Sequence, residues 1–315
     1  MIGPGTRRYV VLGADGFIGS AVVRAALSGG AAVTAVCKKD PWRLADLENA
    51  ELVRVAATDL QEPGFAEHLE DVIAGADAIM HLGYQPPPAS LDLAAKASYE
   101  RSVNTRMAAV VADVAGDVPI VFASSADVYG SWNDNPVNED TLPNPATPYA
   151  EAKLEAESAL GNRSTVLRVS TVFGPGELVP RAVPSFIKAC LTVTGGTAVL
   201  HGGGLDVKDY VPCDAVAEAF VAAAATPDEN RQRIFNISSG IGRSTAEVLE
   251  AVVRVVGKAP AVENTPGTRQ PSRLVVLPDR ARARLNFNPV TSFEAGLAAE
   301  AAWLDANRFR WESAG

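Results

Sequence analysis

The stretch Tyr9-Val10-Val11-Leu12-Gly13-Ala14-Asp15-Gly16-Phe17-Ile18-Gly19 decides the fold. A short apolar run rich in valine leads into three glycines spaced three apart, and a helical pattern then runs from Ile18 to Leu27 and stops at Gly29-Gly30. Glycines at this spacing permit a tight turn, close approach of a pyrophosphate to the backbone N–H groups of a helix N-terminus, and close packing of helix on strand. A glycine triplet alone is common. With a strand before it and a helix after it, the triplet reads as a dinucleotide cradle built from Gly13, Asp15, Gly16, Phe17, Ile18 and Gly19.

Outward from that turn, apolar runs alternate with helical patterns. The expected strands are Tyr9–Leu12, Ala32–Cys37, Leu52–Ala56, Ala78–Leu82, Ile120–Ala123 and Val166–Val169, with helices at Ile18–Leu27, Phe65–Ile73 and Tyr99–Val114 between them. This order predicts an α/β fold, a doubly wound parallel sheet with helices on both faces. After Phe173 the rhythm changes: Pro175, Pro180, Pro184 and Gly202-Gly203-Gly204 interrupt it, ahead of a helix at Asp214–Ala225, a strand at Arg233–Ile237 and helices at Thr245–Val256 and Ser292–Asn307. Residues 1–173 are expected to form the dinucleotide-binding domain. Residues 174–315 are expected to form a smaller mixed α/β portion, some of whose elements return to the main sheet.

Composition excludes several classes. The 315 residues are 47% hydrophobic and 21% charged, as in ordinary globular chains. A net charge of −9 disfavours nonspecific binding to nucleic acid or to anionic membranes. No stretch nears the roughly 18 apolar residues of a bilayer span, and the start runs straight into the glycine motif rather than a cleavable signal, so a soluble cytoplasmic protein is expected. Cys37, Cys190 and Cys213 lack paired spacing, and His68, His81 and His201 are scattered; neither a disulfide framework nor a metal is expected.

In the NAD-binding version of the cradle an acidic residue about 20 positions on meets the adenosine ribose. Here the second strand ends Val36-Cys37-Lys38-Lys39, so the acid is absent and two cations follow. Lys38 and Lys39 suit the 2′-phosphate of NADP; they read also as a solvated lysine pair. Asp59-Leu60, after the third strand, is placed to contact adenine, or Asp59 is a helix cap. Further on, Ser124-Ser125 closes a strand, and Tyr149-Ala-Glu-Ala-Lys153 opens a helix after Pro148, which puts the phenol and the ammonium on one face. A phenol is a poor base at neutral pH, but a neighbouring ammonium and a cationic nicotinamide favour phenolate. Tyr149 then exchanges a proton with a hydroxyl or ketone, Lys153 lowers its pKa and grips the nicotinamide ribose, and Ser125 holds the same oxygen.

Taken together, GADGFIG, His81-Leu82, Asn104, SSADVYG, YAEAK, LRVSTVFGPG, DVKDYVPCD, FNISSG and LNFNP resemble the extended short-chain dehydrogenase/reductases, the NAD-dependent epimerase/dehydratase family acting mainly on nucleotide-activated sugars. The resemblance implies a Rossmann-like fold and a catalytic set of Ser125, Tyr149 and Lys153. It implies cofactor contacts at Leu82, Gly83, Tyr84 and Asn104 and from the loop after Val172, a sugar nucleotide held by the C-terminal portion, and a homodimer packed through the long helices. Ser124, Thr171 and Lys208 are candidate substrate contacts, with Arg269 or Arg273 as a second cation, although each cation reads also as a surface charge. Two departures narrow the activity. The Asp-Glu pair of sugar 4,6-dehydratases is Ala126-Asp127 here, which removes the proton relay for dehydration, and Thr171 replaces the Asn of many epimerases. The expectation is an NADP-dependent (alternatively NAD-dependent) reductase of a nucleotide-linked 4-keto-6-deoxyhexose. A 4-epimerase with bound NAD is the competitor, and a reductase of another carbonyl compound or a non-enzymatic dinucleotide-binding module are the remaining readings. A module of the last kind tends to lose the Tyr/Lys pair, which this chain keeps.

Overall fold

The computed structural model describes residues 5–38, 41–47, 51–53, 64–130, 136–193, 195–226, 233–267 and 270–312. The first half runs β1 (Arg8–Leu12), α1 (Phe17–Ser28), β2 (Ala32–Val36), β3 (Glu51–Val53), α2 (Phe65–Ile73), β4 (Ala78–His81), α3 (Leu93–Tyr99), α4 (Arg106–Ala115), β5 (Ile120–Ser125), α5 (Pro148–Leu160) and β6 (Ser164–Val169). The rest runs β7 (Thr171–Phe173), α6 (Ala182–Leu191), β8 (Thr197–His201), β9 (Val207–Pro212), α7 (Cys213–Ala225), β10 (Arg233–Ile237), β11 (Gly242–Ser244), α8 (Thr245–Val256), β12 (Ala261–Thr265), β13 (Arg273–Leu274), α9 (Asp279–Leu285) and α10 (Phe293–Ala306).

Seven strands form one parallel sheet in the order β10-β6-β5-β4-β1-β2-β3. Because β1 lies between β2 and β4, the chain leaves it in opposite directions, and the crevice at the carboxyl ends of β1 and β4 is where such sheets take ligands. The central strands β1, β4 and β6 are buried on both faces, so they read as continuous apolar runs (Val10, Val11, Leu12; Ile79, Met80) rather than as alternations. The sheet draws on both sides of residue 173, since β10 continues it beyond β6 and α7 packs against α1. A second core joins α6, α8 and α10 beside a small sheet of order β11-β9-β13, to which β7 adds through β9.

Two elements differ from the expected pattern. The expected helix Tyr99–Val114 begins earlier, at Leu93, and carries a π-helical turn over Glu100–Thr105 between α3 and α4. Pro184 does not break the chain: it sits in the first turn of α6, where a backbone N–H has no intrahelical partner to lose.

Candidate active site

At the mouth of β1, Gly13 has φ +80°, and a Cβ there would stand 2.8 Å from the Gly83 nitrogen on the neighbouring loop. A Cβ on Gly19 would stand 2.1 Å from the Gly13 carbonyl, so helix and turn touch as only glycine allows. Gly16 caps α1 without a side chain, and its first turn has no acidic residue. The helix N-terminus is therefore left open to an anion, and these residues fit a pyrophosphate. Arg43 braces the turn from outside, donating to the Asp15 carbonyl at 3.0 Å and to the Gly176 carbonyl at 3.0 Å.

Past the end of β2, Cys37 is buried and Lys38 is exposed. The Lys38 ammonium donates to the Gln85 side chain across the crevice. Gln85 is fixed by Asn104, whose Oδ1 accepts its N–H at 2.8 Å and whose Nδ2 donates to its carbonyl at 2.9 Å. Asn104 thus anchors the loop Leu82-Gly83-Tyr84-Gln85, and the Leu82 N–H extends the ladder by donating to the Leu12 carbonyl. Lys39, Asp59, Leu60 and Arg269 lie outside the described residues.

Helix α5 starts on Pro148 at its first position and is capped by Thr147, whose Oγ1 accepts the Ala150 N–H at 3.2 Å. That start aims Tyr149 and Lys153 at the end of β5. Ser125 Oγ accepts the Asp127 N–H at 3.1 Å and lies within hydrogen-bonding reach of the Tyr149 phenol. Lys153, 8% exposed, donates to the Ala123 carbonyl at 2.8 Å, with its nitrogen 5.8 Å from the Tyr149 ring centre. Ser125, Tyr149 and Lys153 therefore form one cluster beside the glycine cradle.

Burial, with the Asp127 charge next, pushes Tyr149 up to about 12 against the lowering from Ser125 and Arg181. Burial also brings Lys153 down to about 8, opposed by Glu100 and then Glu157. His81 is fully enclosed against Phe122 and is held near 3 by burial and Lys153, so its imidazole is neutral.

Two expected contacts, Ser124 and Arg273, sit elsewhere. Ser124 does not face the crevice with a free hydroxyl: it donates at 2.5 Å to Glu157, which Arg168 grips in two-pronged fashion at 3.0 and 2.7 Å. Val172 is buried inside β7 opposite Val211, and the loop expected after it begins at Gly174. Lys208 and Arg273 do not converge. Arg273 stands opposite Val207, so alternation along the strand sends it to the other face, whereas Arg243 on β11 stands directly opposite Lys208 and shares its side. Thr171 is half-buried at the start of β7. Asp209 is spent on structure, accepting the Ser239 and Gly240 N–H groups at 2.7 and 2.9 Å.

Sequence reasoning missed Glu100, Glu157 and Arg168, all deeply buried. Glu157 had a signal: it follows Lys153 by four residues, one further turn down the same face of α5.

Residues 9–238 match the NAD dependent epimerase/dehydratase family. The chain is 32% identical to a UDP-glucose 4-epimerase of Mycolicibacterium smegmatis over 92% of its own length and 96% of that protein. It is 29% identical to a dTDP-glucose 4,6-dehydratase of Streptomyces griseus over 98% of its length and 97% of that protein. Among solved structures, MoeE5 in complex with UDP-glucuronic acid and NAD superposes with a TM-score of 0.81 at 25% identity, covering 95% of this chain and 99% of that one. A Rossmann-like sheet, a glycine cradle and a Ser/Tyr/Lys cluster thus coincide with a match across most of the sequence, and the chain belongs to the NAD-dependent epimerase/dehydratase family of nucleotide-sugar enzymes.

Proposed function

We propose that the protein is a reductase that uses NADPH, or alternatively NADH, to reduce C4 of a nucleotide-linked 4-keto-6-deoxyhexose. The observation that carries this reading is the half-buried Tyr149 phenol, raised above its usual range within reach of Ser125, in a chain where Ala126 stands at the place of a dehydratase's acid. A phenol raised to about 12 is a proton donor at neutral pH, the role a reductase needs.

Reduced nicotinamide, when bound, supplies hydride to the carbonyl carbon. The protein then handles the oxygen. Tyr149 gives it a proton, while Ser125, whose Oγ already accepts the Asp127 N–H, keeps its own hydrogen to donate to the same atom. Lys153 would hold the nicotinamide ribose and supply the positive charge under the phenol. Gly13, Asp15, Gly16, Phe17, Ile18 and Gly19 would cradle the pyrophosphate, with Leu82, Gly83 and Tyr84 as the opposite wall. Lys38 and Lys39 would meet a 2′-phosphate, and the missing ribose acid favours the phosphorylated cofactor. Thr171 at the start of β7, with Lys208 and Arg243 from residues 174–315, would meet the sugar nucleotide, and the working unit would be a homodimer packed through its long helices.

The second reading is a 4-epimerase, favoured by the 32% identity to a UDP-glucose 4-epimerase. The protein is mixed with NADPH and a 4-keto-6-deoxy sugar nucleotide, and the reduced-nicotinamide absorbance is followed. A stoichiometric fall supports the reductase. A flat trace together with conversion of UDP-glucose to its 4-epimer overturns it, and neither change would mark a binding module.

A further inference from the structure

We infer that Glu100 is the counter-charge of Lys153, a positioning residue that holds Lys153, Tyr84 and Asn104 in the arrangement Tyr149 proton transfer needs; this rests on the reading of Tyr149 and Lys153 as the reacting pair. The π-helical turn over Glu100–Thr105 widens the helix by a residue and buries Glu100 and Val103. Glu100 is 2% exposed, and both its oxygens are engaged: Oε1 accepts the Tyr84 hydroxyl at 2.6 Å and Oε2 accepts Asn104 Nδ2 at 2.6 Å. Both donors are neutral, and among the described residues Glu100 makes no salt bridge within 4.0 Å. The positive charge on the opposite wall is Lys153, across a cavity of about 10 Å³ lined also by Gly83, Phe122 and Tyr149. That space is close to the minimum one water needs.

The two aromatic rings complete the arrangement. Tyr84 meets the Tyr149 ring edge-on at 5.3 Å, and the Lys153 nitrogen stands 5.4 Å from the Tyr84 ring centre. A carboxylate this deeply buried needs an opposite charge, and so does a buried ammonium. The ionisable groups lining this space are Tyr84 from the loop after β4, Glu100 from the π-helical turn, and Tyr149 and Lys153 from α5; His81 from β4, Tyr99 on the same helix, Glu157 on α5, Asp127 past β5 and Arg181 before α6 interact with them from outside it. Of these, Glu100 acts on both members of the reacting pair, raising Lys153 and Tyr149 alike.

The test is carried out without cofactor or sugar. The protein has seven lysines, so ¹³Cε-lysine NMR can follow each, with Lys153→Arg identifying the Lys153 signal. Glu100→Gln, which keeps the shape and removes the charge, should lower the Lys153 midpoint by about one pH unit or more. Glu100→Asp, which keeps the charge on a shorter arm, should lower it less and supplies the same readout if the first variant does not fold. In turnover, both limbs of the pH profile of Glu100→Gln should move to lower pH, a change that loss of packing alone would not produce. An unmoved Lys153 midpoint overturns the inference. A moved midpoint in a protein whose Tyr149→Phe variant still turns over normally would overturn the catalytic reading and leave the charge pairing standing.

Discussion

Along α5, Tyr149, Lys153 and Glu157 stand four residues apart, and each has a partner: Ser125 for the phenol, the Ala123 carbonyl for the ammonium, and Ser124 with Arg168 for the carboxylate. Beneath the loop after β7, Glu177 and Glu300 are buried at least as deeply but lack comparable partners. Glu300 accepts the Gly174 N–H at 2.8 Å, Glu177 has Arg181 at 3.6 Å, and one oxygen of each makes no hydrogen bond. Burial pushes Glu177 up to about 7 and Glu300 up to about 9, with the Glu177 charge adding to the latter. The difference teaches that burial alone does not fix a charge state. A directly opposed guanidinium grips Glu157 through both oxygens, whereas two carboxyls facing each other are left to hold protons.

Substitutions can break this contrast. The largest effect is expected at Tyr149→Phe, which should lose about 10²–10⁴-fold in turnover while keeping its melting temperature, because it removes a proton donor and no packing. Steady-state rates with calorimetry check it, and near-normal turnover would reduce the α5 row to scaffolding. Next, Arg168→Leu should cost about 3–5 kcal/mol in urea unfolding by stranding Glu157, whereas Glu300→Gln, which keeps an acceptor for Gly174, should cost far less. Equal costs would erase the distinction between the two regions.

A third effect is pH-dependent. Glu177 and Glu300 hold protons in the folded state that the unfolded chain has released above the ordinary carboxylate range, so stability should decline as pH rises from about 5 to about 9. Glu300→Gln should flatten that decline in melting temperature, and an unchanged slope would show that the pair does not titrate as one unit. The smallest effect calibrates the buried charges against an exposed one: Lys38→Ala should weaken NADPH relative to NADH by roughly tenfold and leave stability unchanged. Equal loss for both cofactors would return Lys38 to the solvated face.

The crevice was legible because glycine and the Tyr-x-x-x-Lys spacing report backbone constraints: Gly13 and Gly19 admit no Cβ, and a four-residue step fixes a helix face. The π-helical turn was not legible, since Glu100–Thr105 carries no composition that marks one added residue. Buried charges were harder to read. Arg168 looks like any other charged residue until β6 brings it to Glu157, whose spacing from Lys153 was the one hint, and Arg273 looked as good a second cation as any until strand register put it on the face away from Lys208. Short strands such as β11 and β13 owe their existence to β9 rather than to their own two or three residues.

The return of β10 to the edge of β6 has a consequence for how the molecule is made. As the chain emerges during synthesis, β6 presents an unpaired row of backbone groups until residue 237 follows some seventy positions later, and α1 waits for α7 far longer, over about 185 positions. The cofactor crevice is thus exposed to wrong partners while the second half is still on the ribosome, and assistance from a chaperone would be most valuable in that window.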